Sequence, residues 1–220
     1  MSESKTYLVR RAPGAVRLAS EDPAWGDADR LLIDEYPWFT DGQKQQTDVA
    51  LLYDDRAVYV LFVCEDRHIF SVETRPNGDV YKDSCVELFA DPAPARGGGY
   101  FNFEANCCGV MHLGFGAGRG KRRLADAAIH EQIRVATSIP IGTKDESPND
   151  DGWWLAAKLP FETLSAFTGV QVQPAPGDTW RANFYRCGGK TDGQYACWNP
   201  ITAERPDFHR PECFGTLQFE

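Results

Sequence analysis

An aromatic residue stands six positions before a carboxylate in the run Asp79-Val80-Tyr81-Lys82-Asp83-Ser84-Cys85-Val86-Glu87-Leu88-Phe89-Ala90-Asp91-Pro92. The stretch around Glu87 is apolar and reads as a strand. Side chains alternate between faces along a strand, so Val86, Leu88 and Ala90 share one face and Glu87 and Phe89 the other. A face that sets Glu beside Phe suits a concave, partly wet surface. There a ring could lie on an apolar group while its hydroxyls meet a carboxylate, which is the chemistry a sugar needs. The plainer alternative is a solvated Glu87 on an edge strand, with Tyr81 packed in a loop.

A second mixture of this kind is Trp180-Arg181-Ala182-Asn183-Phe184-Tyr185-Arg186, followed by Tyr195-Ala196-Cys197-Trp198-Asn199-Pro200. Flat aromatics match the C–H face of a sugar, and carboxylate, amide and guanidinium groups match its hydroxyls. Alternation puts Asn183 and Tyr185 on one face and Trp180, Ala182, Phe184 and Arg186 on the other. Trp198 falls in a Pro-containing loop, as an exposed stacking ring or as a lid over the core. Other chemistries compete. A glycoside hydrolase needs two carboxylates at a set separation, for which Glu87 and Glu104 are candidates, with Asp83 and Asp91 near in sequence. A haem-binding sandwich needs two axial ligands. Met111 and His112 are adjacent and so point to opposite faces, which leaves Met111 with His130 or His209. No nucleophile-elbow motif supports a Ser or Cys hydrolase.

The bulk composition narrows the classes. A net charge of −9 over 220 residues argues against a nucleic-acid partner, whose phosphates call for clustered Lys and Arg. The basic cluster Arg119-Gly120-Lys121-Arg122-Arg123 sits in a Gly-rich stretch and reads as a solvated loop. No apolar run has the length of a membrane span, and the first twenty residues lack the apolar core of a secretory signal. The chain as written reads as cytoplasmic, with an extracellular or periplasmic location as the alternative. Seven cysteines, an odd number, are expected to be mostly buried thiols. Cys107 and Cys108 are expected on opposite faces of a strand, and Cys187 and Cys197 are placed to face each other across a hairpin.

Period-2 patterning dominates. Residues 47–54 and 57–66 form a hairpin around Asp54-Asp55-Arg56. Further strands are expected over 84–91, 99–106, 109–115, 130–139, 153–159, 179–186 and 213–219. Pro160 opens a short helical turn and Gly169 closes it. Many short strands with regular turn signals, and no linker, predict one all-β domain over residues 1–220: an antiparallel β-sandwich of immunoglobulin-like or jelly-roll-like type with little helix.

Taken in order, these segments resemble a family 9 carbohydrate-binding module. The likeness runs from Pro23-Ala24-Trp25 through Thr47–Asp54, Val58-Tyr59-Val60 and the Tyr81–Asp91 motif. It continues at Gly152-Trp153, Leu159-Pro160 and Asn183–Arg186, and ends at Phe208–Gly215. The resemblance implies a β-sandwich without catalytic activity of its own. Such a module grips a terminal, often reducing-end, sugar of a mono-, oligo- or polysaccharide between two aromatic rings, in support of carbohydrate catabolism. By resemblance, Tyr81 stands where one sandwich Trp is usual and Glu87 matches the hydroxyl-binding Glu. Trp198 is the candidate second ring, Asn183 the neighbouring amide, and Arg186 a supporting Arg. The family is found appended to xylanases, which implies xylan-type glycans and a glycoside hydrolase partner. It also carries structural calcium, whose ligands do not map onto this sequence.

Overall fold

The computed structural model describes residues 4–120, 122–139, 142 and 144–220. Thirteen strands are present among them: β1 (Thr6–Arg11), β2 (Leu31–Leu32), β3 (Thr47–Tyr53), β4 (Ala57–Glu65), β5 (Cys85–Asp91), β6 (Tyr100–Asn106), β7 (Met111–Gly116), β8 (Arg122–Leu124), β9 (Arg134–Thr137), β10 (Gly152–Pro160), β11 (Thr179–Gly188), β12 (Gln194–Cys197) and β13 (Gly215–Phe219). Two helices accompany them, α1 (Ala127–Gln132) and α2 (Phe161–Thr168). No helix among the described residues is long and apolar enough to cross a membrane.

The strands run in the order β8-β7-β6-β5-β11-β13-β1-β3-β4-β10-β9, with β12 added to β11 and β2 to β3. This path folds over at β1. Thr6–Val9 pair with β13, and Arg10 and Arg11 pair with β3, so a single strand serves two layers. Both pairings of β1 are parallel, whereas the hairpins and the other ladders are antiparallel. The sandwich is therefore mixed rather than purely antiparallel. The reason is topological: β1 meets neither β13 nor β3 through a hairpin turn.

Alternation fills the interior. Val86, Leu88 and Ala90 of β5, Phe101 and Phe103 of β6, and Trp180, Ala182 and Phe184 of β11 pack in one core. They meet Val49 and Leu51 of β3, Val60 and Phe62 of β4, and Trp153, Leu155 and Leu159 of β10. Val86, Leu88, Phe62 and Phe184 have no exposed surface. The outer face of the second layer carries Leu52, Tyr59 and Leu61 and is covered by a segment that includes Ala24 and Trp25. The outer face of the first layer is covered only in part, by the loop 199–214.

One charged group crosses the dry interior. Arg186 is 1% exposed and Asp66 2%. The Arg186 Nη2 to Asp66 Oδ2 distance is 2.5 Å, and Trp153 Nε1 donates to the same oxygen at 2.9 Å. The guanidinium also lies 5.3 Å from the centroid of the Trp153 ring. Burial by itself would raise the Asp66 carboxyl. The Arg186 charge, with hydrogen bonds from Ser84, Trp153 and the His68 amide, outweighs it and holds the carboxyl below its ordinary value.

Several expectations change. Residues 130–139 are not one strand. Asp126 caps α1 by accepting from the Ile129 amide at 3.0 Å, and β9 begins only at Arg134. The helical turn expected between Pro160 and Gly169 is present, as α2, with Gly169 at φ 76°. Cys197 sits opposite Tyr185 rather than Cys187, whose cross-strand partner on β5 is Cys85. Cys107 and Cys108 lie in the turn after β6, not on a strand, with sulfurs 3.9 Å apart. All seven cysteines are thiols. Met111 packs against the interior while His209 lies on the outer face beside Phe89, so the two cannot ligate one haem iron.

Removing one partner of a buried ion pair leaves the other charge unpaired, at a cost of about 3–5 kcal/mol. Asp66→Asn and Arg186→Met are each expected to lower stability by about that much in urea unfolding at neutral pH. Asp66 is held below its ordinary value, so its contribution is present at neutral pH and lost as pH falls through the folded-state value. Asp66→Asn should therefore flatten the acid limb of the stability profile, and an unchanged limb would contradict the assignment.

Candidate functional site

Register builds the site. Across the outer face of the first layer, Tyr185 of β11 stands opposite Glu87 of β5, Glu87 opposite Glu104 of β6, and Glu104 opposite His112 of β7. The next row is Asn183, Phe89, Asn102 and Gly114. Glu87, Phe89, Asn102, Glu104 and His112 all open into a cleft of about 500 Å³, within the size range of small-molecule sites. One wall is Arg119, Gly120 and Arg122 with Leu124. A second is Pro206, Asp207, Phe208 and His209, and the mouth carries Tyr81 and Tyr195.

Glu87 is thus neither solvated nor on an edge. Its strand is paired on both sides, and it is 2% exposed. Burial, then the neighbouring Cys187 and Glu104, push its carboxyl well above the ordinary value. Glu104 is also raised, chiefly by burial, against the opposing pull of His112, Asn102 and the arginines. The Asn102 amide donates to Glu104 Oε1 at 2.5 Å and accepts from Arg122 Nε at 2.9 Å. Gly114 makes room for this pair, since a Cβ there would lie 2.6 Å from Asn102 Oδ1. Arg122 spreads over the Tyr100 ring, 4.5 Å from its centroid. The Tyr100 hydroxyl and His209 Nδ1 are 2.8 Å apart. Burial first, then Arg122 and Arg119, lower the His209 imidazole to about 3, so it is neutral over the physiological range.

Tyr81 rides on a single 3-10 turn, Val80–Lys82. Asp83 anchors that turn by accepting from Ser71 Oγ, the Val72 and Glu73 amides and Asn106 Nδ2. Gly188 closes against it at φ 75°, where a Cβ would sit 1.8 Å from the Asp83 carbonyl oxygen. The ring that results is 45% exposed, and Tyr195 is 43% exposed.

The five residues singled out from the sequence separate. Tyr81 and Glu87 meet at the cleft. Arg186 lies between the layers in the Asp66 pair, on the face opposite Tyr185, as alternation on β11 requires. Trp198 is 4% exposed and packs in the interior against Phe184, with centroids 5.7 Å apart. The phase of β12 decides this: Ala196 and Trp198 turn inward, and Tyr195 and Cys197 turn outward. Asn183 is on the cleft side of its strand but fully covered. It donates to the Asn199 carbonyl at 3.0 Å and accepts from the Asn199 amide at 2.9 Å. Conversely, Arg119 and Arg122, read as part of a solvated loop, form a cleft wall, and Tyr195, Glu104, His112 and His209 join it. The available signal was pairing: strand β6 carries Asn102 and Glu104 in the phase that β5 gives Glu87 and Phe89.

For catalysis at a glycosidic bond, two carboxyls must be split, one raised as the acid and one held ionised. Here both Glu87 and Glu104 are raised. Asp83 is spent on the turn, and the Asp91 carboxylate accepts from the Ala93 amide at 3.0 Å. Among the described residues, one group of three side-chain donors converges within 4.8 Å: Cys85, Glu87 and Cys187. Its two sulfurs are too soft for calcium.

A β-sandwich with an aromatic-rimmed cleft floored by buried carboxyls belongs to the class of small-ligand binding modules. The sequence model of Carbohydrate-binding family 9 matches residues 17–219, and the chain belongs to that family. Its structure is similar to that of a Bacteroides uniformis protein to which carbohydrate binding has been ascribed, at 26% identity and TM-score 0.86, covering 99% of this chain and 100% of the other. It is also similar to a family 9 module from Caldicellulosiruptor kristjanssonii, solved with cellotriose and with glucose. There the identity is 16% and the TM-score 0.67, over 98% of this chain and 94% or 96% of the other. No protein of curated function matches the sequence.

The neutral His209 gives a testable slope. In the unfolded chain a His takes up its proton near pH 6.5, whereas the folded site resists protonation down to about 3. The unfolded state binds more protons in that window, so stability falls as pH drops through it. His209→Gln is expected to flatten this part of the profile in thermal melts between neutral and acid pH. An unaltered slope would show that the imidazole titrates freely.

Proposed function

We propose that the cleft binds the terminal sugar of a glycan without cleaving it, and that the chain serves carbohydrate breakdown by holding a partner glycoside hydrolase's substrate. The observation that carries the reading is the floor row Glu87–Glu104–His112 beneath two half-exposed tyrosine rings. Tyr81 and Tyr195 offer apolar faces for the C–H side of a pyranose. The Glu87 carboxyl can hydrogen-bond ring hydroxyls, and Glu104, Asn102 and His112 continue the polar row. The walls at Arg119, Gly120 and Arg122 and at Pro206–His209 favour a chain end over a chain middle, because a continuing chain would need an exit on both sides. Glucose and cellotriose in a family 9 relative make β-glucan ends the first ligands to try.

Calorimetric titration with glucose, cellobiose and cellobiitol tests the proposal. Tyr81→Ala should cost about 1 kcal/mol of stacking, roughly a five-fold loss of affinity. Glu87→Ala should cost about 0.5–1.5 kcal/mol per hydrogen bond lost, roughly two- to ten-fold. Trp198→Phe, a change in the core, should leave affinity unchanged. Loss of cellobiitol binding would place the reducing end in the cleft. No heat with any mono- or disaccharide would refute sugar binding, and affinity that follows Trp198 instead of Tyr81 would refute this site.

A further inference from the structure

The floor of the cleft holds a donor set of which the proposed sugar site uses only Glu87. Cys85 on β5 and Cys187 on β11 are direct cross-strand partners. Both point to the outer face with Glu87, two residues along β5. One ligand atom from each of the three lies within 4.8 Å of the others, and all three residues are buried. Cys187 Sγ is 3.0 Å from Glu87 Oε1 and 3.6 Å from the Tyr81 carbonyl oxygen. Cys85 has no exposed surface, while Cys187 and Glu87 reach the cleft.

We infer that Cys85, Cys187 and Glu87 form a three-ligand site for a thiophilic divalent ion, Zn²⁺ by donor type, with its fourth position open to the cleft. Two thiolates and a carboxylate suit a borderline-soft ion and not calcium or magnesium. A tetrahedron with Zn–S bonds of about 2.3 Å has edges of about 3.8 Å, so the three atoms need only sub-ångström to ångström adjustment from their present spacing. Two adjacent strands in fixed register supply the ligands, which makes the spacing a property of the sheet rather than of a loop. The two thiols and the Glu87 carboxyl bind in their deprotonated forms, and any protons they carry pass to solvent. The fourth position faces the cleft because only Cys187 and Glu87 line it. An ion there would be completed by water or by a ligand hydroxyl. The site stands whether or not the cleft binds sugar.

The test uses the full chain, reduced and freed of metal by chelator, titrated with Co²⁺ and then Zn²⁺. One equivalent of Co²⁺ should produce thiolate-to-cobalt charge-transfer absorption and ligand-field bands of tetrahedral strength, bleached by one equivalent of Zn²⁺. Cys85→Ser and Cys187→Ser should each weaken uptake at least ten-fold and reduce the charge-transfer band. Glu87→Gln should weaken uptake and keep that band, and Cys213→Ser should change nothing. Because a buried serine can unfold the chain, cadmium NMR on the unmutated protein provides an independent reading, with a shift expected for two sulfur ligands. Absence of the charge-transfer band, a cadmium shift for oxygen ligands alone, or uptake unchanged in both folded serine variants would overturn the assignment.

Discussion

The alternation of β5 is the constraint on which the rest of the molecule depends. Val86, Leu88 and Ala90 close the core of the sandwich, so Cys85, Glu87 and Phe89 must face outward. A one-residue slip would drive the Glu87 carboxyl into the hydrocarbon interior and expel three apolar side chains, and burial of the in-facing row makes that register unfavourable. The functional face is therefore fixed by what lies behind it. Because β5 is paired on both edges, Glu87 also cannot escape to solvent by fraying, and burial raises its carboxyl well above the ordinary value at the floor of the cleft.

What turns a sheet face into a cleft is the incomplete cover supplied by the loop 199–214. Asn183 and Asn199 clamp its start with two reciprocal hydrogen bonds. Farther along, Phe208 stacks on Tyr185 with centroids 4.2 Å apart and planes 11° apart, and the Tyr185 hydroxyl donates to the Phe208 carbonyl. Trp38 Nε1 holds the Ala203 carbonyl at 2.8 Å. The loop thus ends in a rigid wall at Phe208 and His209. Asn183 fixes the start of this loop through Asn199 and does not line the cleft.

Much of this was legible in the sequence because period-2 patterning is strong where a strand is half buried. The faces of β5 and β11 follow from alternation, and the same alternation places Arg186 away from Tyr185. Carrying the family pattern across by order brought Arg186 and Trp198 into one imagined site although strand phase keeps them inside. The wall residues were harder to see. Arg119 and Arg122 sit among glycines in a stretch that reads as loop, and only the β7–β8 pairing draws Arg122 over Tyr100. The parallel seam at β1 was invisible for a different reason: six residues without a hairpin partner carry no local signal of whom they pair with.

The two tyrosines at the mouth show how the fold can hold a binding surface open. An exposed ring on a mobile loop must be ordered when a ligand arrives, and that entropy subtracts from affinity. Tyr81 avoids much of this cost. Its turn is tied by four hydrogen bonds to the Asp83 carboxylate and pressed by Gly188, whose missing side chain lets the two backbones touch. Tyr195 is held by the β11–β12 ladder, directly opposite Cys187. A tyrosine offers a smaller face than the tryptophan usual in this family, so each ring has less area with which to stack. Pre-organisation works in the other direction, because less of the stacking energy is spent on fixing the platform. For the sugar proposed above, that balance would favour a compact ligand that one small ring can cover.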